Sequence, residues 1–129
     1  MGKKGINYVK ALIIDDSLFT LERHKNLVMD AQLEPLLAES GAKALEMYKE
    51  HNPEIVLCDI MMPEMNGYEV FEILKEIDAN VFLYFISAEM TSAAKEKAIS
   101  MKAAGFYQKP IEQKEILEII EDYKAKRLV

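Results

Sequence analysis

The chain has 129 residues, of which 50% are hydrophobic and 29% charged, and it carries a formal net charge of -6. That length suits one compact domain over residues 1–129, and the composition supports a core and argues against disorder. The acidic balance disfavours direct contact with nucleic acid, whose phosphates it would repel, and no apolar stretch approaches the roughly 18 residues that cross a bilayer.

Met1 to Val9 contains lysines but no long apolar segment behind them, unlike a signal peptide. The first predicted strand is Val9–Ile14, followed by an amphipathic helix over Ser17–Ala31. The second strand, Glu34–Ala38, is less apolar and contains Pro35, which cannot donate to a ladder; it belongs at a sheet edge. A helix over Ala42–His51 leads to the third strand, Ile55–Cys58. Cys58, the single cysteine, excludes an intrachain disulfide and lies in an apolar run, which fits a core residue in a reducing cytoplasm. A helix over Gly67–Ile77 precedes the fourth strand, Val81–Ile86. The next helix, Ser92–Ala104, has a small apolar stripe of Ala94, Ala98 and Met101. The short fifth strand, Phe106–Gln108, ends in a polar residue, as an edge strand would.

The last helix, Gln113–Arg127, has the clearest pattern: Ile116, Ile119, Ile120 and Tyr123 fall at i, i+3, i+4 and i+7. Its basic end, Lys124, Lys126 and Arg127, reads as a solvated terminus favoured by the helix dipole. Strands alternating with helices mean βα units and a parallel sheet. Strands one, three and four are nearly all apolar, as expected with helices on both faces. The two edge assignments fit the strand order 2-1-3-4-5.

In such a sheet, ligands gather at the carboxyl ends of the strands. Strand one ends in Asp15-Asp16, strand three in Asp59 and strand four in Ser87; Lys109-Pro110 follows strand five. Taken singly, each has an ordinary reading. The aspartates could cap helices, Ser87 could start a turn, and a Lys-Pro pair carries no information. Jointly they place three carboxylates, a hydroxyl and an ammonium on one edge. Three adjacent carboxylates repel one another. A hard divalent cation with oxygen ligands offsets that, and Mg2+ takes one or two carboxylates with phosphate oxygens. An acceptor carboxylate with a cation, a lysine and a hydroxyl is what phosphoryl transfer needs.

These residues resemble the receiver domains of response regulators, over nearly the whole chain. The resemblance rests on Leu12-Ile13-Ile14-Asp15-Asp16-Ser17, on Ile55 to Pro63 around Asp59, on Met65-Asn66-Gly67, on Ile86-Ser87-Ala88, and on Gly105-Phe106 with Lys109-Pro110. It implies a flavodoxin-like, doubly wound sheet of five parallel strands flanked by five helices. It implies that Asp59 is phosphorylated by a sensor histidine kinase or a phosphotransfer protein, with Mg2+ as cofactor. Asp15 and Asp16 would hold the metal, Asp16 the more directly, together with Asp59 and the backbone carbonyl of Met61. Lys109 would pair with the phosphoryl group, aimed by a cis Lys109-Pro110 turn. Ser87 and Phe106 would act as the switch, reshaping the surface of helix four, strand five and helix five for a downstream protein, an output domain or a second copy.

Three positions depart from common patterns of the family. Asn66 stands where an acidic residue is usual, Phe106 lacks the hydroxyl of the frequent tyrosine, and Met61 stands where chemotaxis-type regulators often carry Asn. Tyr107 should point to the opposite face of its strand from Phe106. A flavin carrier of similar fold would need a hydroxyl- and glycine-rich phosphate loop where Asp15-Asp16 stands. A phosphatase with an aspartyl-phosphate intermediate would need a second acid at Met61. The receiver reading makes the chain a signalling phosphoacceptor, not an enzyme with its own substrate. Both a stand-alone regulator and one domain of a multidomain regulator or hybrid kinase fit it.

Overall fold

The computed structural model describes residues 8–127, so most of the N-terminal segment lies outside the described residues. The elements run β1 (Lys10–Ile14), α1 (Leu18–Asp30), β2 (Glu34–Ala38), α2 (Gly41–His51), β3 (Ile55–Cys58), α3 (Gly67–Ile77), β4 (Leu83–Ser87), α4 (Ser92–Ser100), β5 (Gly105–Gln108) and α5 (Gln113–Arg127). The strands form one parallel sheet in the order β2-β1-β3-β4-β5. Pro35 and Gln108 do lie on the two edge strands.

Successive side chains on a strand face opposite ways, so each central strand feeds two cores. Leu12, Ile14, Val56, Cys58 and Phe85 pack against α2, α3 and α4 through Ala44, Tyr48, Val70, Phe71, Leu74 and Ala98. Ala11, Ile13, Ile55, Leu57, Tyr84 and Ile86 pack against α1 and α5 through Leu21, Val28, Ile116 and Ile119. Burial on both faces explains why these strands read as continuous apolar runs.

Two elements, β4 and α4, differ from the sequence reading by more than one residue at an end. β4 starts at Leu83, not Val81, and runs on to Ser87, because the Val81 amide closes the turn after α3 on the Asp78 carbonyl at 3.1 Å. α4 ends at Ser100, four residues early. Lys102 takes a left-handed φ of 67°, and the amides of Lys102 and Ala103 return to the carbonyls of Ile99 and Ala98. Glycine usually marks such a terminus; with lysine in that place the stop has no sequence cue.

Candidate functional site

Backbone pairing sets the site. Ile14 is level with Cys58, so Asp15 and Asp59 emerge side by side from neighbouring strands. Both amides continue the ladder, Asp59 to the Ile14 carbonyl at 2.9 Å and Asp15 to the Ala38 carbonyl at 3.1 Å. Ser87 is level with Gln108, and the Lys109 amide donates to the Ser87 carbonyl at 2.8 Å. The edge therefore collects Asp15, Asp16, Asp59, Ser87 and Lys109, the set expected from the strand ends.

The carboxylates of Asp15, Asp16 and Asp59 offer oxygens that all lie within 4.8 Å of one another. Asp15 (2% exposed), Asp59 (6%) and Ser87 (1%) are buried, whereas Asp16 is open to solvent. Lys109 Nζ donates to Asp15 Oδ2 at 2.6 Å and lies 3.4 Å from Asp59 Oδ2. Asp15 Oδ1 accepts the Ser17 amide at 2.9 Å, where α1 begins, and Asp59 Oδ1 accepts the Ile60 amide at 2.8 Å. Burial, then the Asp15 charge, raises the Asp59 carboxyl above its usual range; Lys109 and the Ile60 amide only partly oppose them. The same burial pushes the Cys58 thiol far up, which leaves it an inert core group.

The loop after Asp59 is held from α3. The Gly67 amide donates to the Ile60 carbonyl at 2.8 Å, and a Cβ on Gly67 would stand 2.1 Å from the Asp59 carbonyl oxygen. Only glycine permits that approach. Asn66 and Glu69 close a capping box around the same helix start, which is what Asn66 contributes where an acid was the usual expectation. Met61 projects into solvent at 74% exposure.

Phe106 is half-buried against the core layer of α2, α3 and α4, and Tyr107 lies on the other face of β5, as the alternation required. Tyr107 stacks on Tyr84 at 5.6 Å, and its hydroxyl donates to Glu118 of α5. The Lys109–Pro110 peptide is cis. Two residues beside the site were not singled out from the sequence. His24 is buried on α1, and burial holds its imidazole down at about 4, with Asp15 opposing and Lys109 adding to the effect. Its spacing between Leu21 and Val28 was the available signal. Arg23 donates to the Ile111 carbonyl, 88 residues away, which no local pattern announces.

Over residues 11–121 the sequence matches the response regulator receiver domain family. The chain belongs to that family. Its relatives include the chemotaxis protein CheY of Bacillus subtilis, 37% identical over 86% of this chain and 93% of the relative. CheY of Thermotoga maritima is 35% identical over the same share of each. Among solved structures, the CheX–CheY–BeF3–Mg2+ complex from Borrelia burgdorferi is 28% identical, with a TM-score of 0.83 over 93% of this chain and 91% of that one. A receiver domain from Clostridium thermocellum agrees in fold, with a TM-score of 0.86 at 23% identity over 93% of this chain and 98% of that one. This receiver domain is thus a phosphoacceptor of two-component signalling. Among its described residues no helix is long and apolar enough to cross a membrane.

Proposed function

We propose that Asp59 is the phosphoacceptor, served by Asp15, Asp16, Lys109, Ser87 and Mg2+. The observation that carries this reading is the convergence of three carboxylates within 4.8 Å beside a lysine ammonium at the end of β3. Lys109 offsets one negative charge through Asp15. The remaining oxygen donors, together with the Met61 carbonyl, suit a hard divalent cation that keeps several waters. Asp16, being exposed, is the group that reaches such an ion most freely. When bound, Mg2+ neutralises charge on the phosphoryl oxygens.

An Asp59 carboxylate oxygen attacks the phosphorus of a phosphohistidine on a sensor kinase or phosphotransfer protein. A P–O bond forms as the P–N bond breaks, and the imidazole leaves with the electron pair and takes a proton from solvent. Burial strips water from the carboxylate, and the neighbouring Lys109 ammonium offsets part of the rise that burial causes in its carboxyl. Lys109, close to Asp59, then pairs with a phosphoryl oxygen. Water later attacks the phosphorus, the bond to the Asp59 oxygen breaks with its electron pair returning to the carboxylate, and inorganic phosphate is released. The chain assists both steps and has no further substrate.

The transferred group adds up to about two negative charges and three strong acceptors. Ser87, moving to donate to it, vacates space that the half-buried ring of Phe106 can fill. The surface of α4, β5 and α5 then changes shape for a downstream protein or output domain. These events belong in the cytoplasm, where the kinases of such systems phosphorylate their regulators. With acetyl phosphate and Mg2+, intact mass should show one phosphoryl adduct, lost on chelation and absent in Asp59→Asn. An unchanged adduct in that variant would overturn the assignment.

A further inference from the structure

We infer that Arg23 is a positioning residue that latches the β5–α5 loop to α1 and thereby holds Lys109 at the acceptor site. The inference rests on the reading of Lys109 given above. Lys109 has a long, flexible stem, and its ammonium reaches Asp15 and Asp59 only if its backbone is fixed on both sides. On the sheet side, its amide is held by the Ser87 carbonyl at 2.8 Å. Two residues beyond it, Arg23 Nη2 donates to the Ile111 carbonyl at 2.8 Å and pairs with Glu112 Oε2 at 3.1 Å. The Ile111 side chain is buried in the α1–α5 core layer, so the loop is pinned by its side chain and its carbonyl at once.

The latch closes a ring. Ser17 caps the start of α1 and its amide donates to Asp15 Oδ1, while Lys109 donates to Asp15 Oδ2. One helix therefore carries, at its N-cap, a contact to the carboxylate that receives Lys109 and, farther along, the guanidinium that holds the loop presenting Lys109. Both bonds span large sequence separations, 94 residues for Lys109 to Asp15 and 88 for Arg23 to Ile111. A charge-assisted bond to a carbonyl is stronger than a neutral one. Glutamine at position 23 is shorter and neutral and reaches neither partner in this way, whereas lysine keeps the charge and an ammonium donor group.

The test compares wild type with Arg23→Gln, Arg23→Lys and Lys109→Ala, each assayed at a temperature where its urea melt shows it fully folded. One readout is the side-chain ammonium resonance of Lys109 in proton–nitrogen spectra of the unphosphorylated protein. The other is the initial rate of acetyl phosphate labelling in saturating Mg2+. In Arg23→Gln the resonance should be lost to solvent exchange and labelling should slow about fivefold or more; Arg23→Lys should recover much of both. If Lys109→Ala labels slowly while Arg23→Gln keeps the wild-type rate, the latch is refuted and the Lys109 reading stands. If Lys109→Ala itself labels at the wild-type rate, the underlying reading fails and the inference with it. Recovery in Arg23→Lys also separates positioning from general loosening of the loop, which any substitution would cause.

Discussion

The third and fourth βα units flank the site, and they are built to different standards. α3 buries Gly67, Val70, Phe71 and Leu74, opens with a capping box, and presses its first residue against the backbone of Asp59. α4 buries Ala98 alone, has a single side-chain cap from Thr91, and leaves Ile99 exposed at 66%. Asp59, the proposed acceptor, thus rests on a rigid wall, and the element behind Ser87 is held by little. Segments with few buried contacts open at low free energy. That arrangement suits the proposed switch: a phosphoryl group would find Asp59 preorganised, while its modest differential contacts can move only something weakly tethered.

The largest expected effect attacks the rigid wall. Gly67→Ala forces a methyl group into the Asp59 carbonyl, which is backbone and cannot rotate aside. It should cost about 3 kcal/mol in a urea melt and slow labelling. Ala98→Gly on α4 should cost only about 1 kcal/mol. Equal costs would erase the contrast.

His24 tests the acceptor side through pH. Its imidazole sits at about 4 in the fold against the ordinary value of 6.5. Between these limits the unfolded chain binds the proton first, so the contribution of His24 is complete above pH 6.5 and is lost as pH falls toward about 4. Across that window the wild type should lose on the order of 2 kcal/mol more than His24→Gln. Parallel stability curves would show that His24 is not buried as a neutral group.

Asp59 has the opposite sign. Its carboxyl is raised by burial and by Asp15, so the fold keeps a proton that the unfolded chain has released, and stability declines as pH rises from 3.8 through the raised value. Asn keeps the oxygen that accepts the Ile60 amide and removes the charge. Asp59→Asn should therefore be more stable by about 1 kcal/mol at neutral pH and low salt, with the gain vanishing in acid. A variant less stable than wild type at neutral pH would mean that the Lys109 contact outweighs burial and the repulsion from Asp15.

The smallest effect in energy concerns α4. Amide exchange there should be faster than in α3, and Ser87→Ala should accept phosphate with little change in stability. It should nevertheless lose the phosphorylation-dependent NMR shifts around Phe106 and Tyr107. Wild-type shifts in that variant would disconnect Ser87 from the surface of α4, β5 and α5.

Much of this was legible in the chain itself. The βα alternation, both edge strands and the five residues at the strand ends are local patterns, each written within a few neighbouring residues. Asp15, Asp16, Asp59, Ser87 and Lys109 could be named because each closes a strand or follows one, and a parallel sheet brings strand ends together. The end of α4 could not be read, since Lys102 adopts a left-handed turn without the glycine that usually marks one.

What the sequence alone determined is therefore the order of elements and the chemistry carried at their ends, because periodicity and strand termini are short-range properties. Only the tertiary structure decided which of those groups touch. Lys109 chooses Asp15 at 2.6 Å over Asp59 at 3.4 Å, and Arg23 reaches the loop that carries Lys109. His24 is neutral by burial, and Gly67 is demanded by a neighbouring backbone and not by its own turn. Each of these depends on distances between segments far apart in the chain, set by how helices pack on the sheet, and packing is a property of the whole fold.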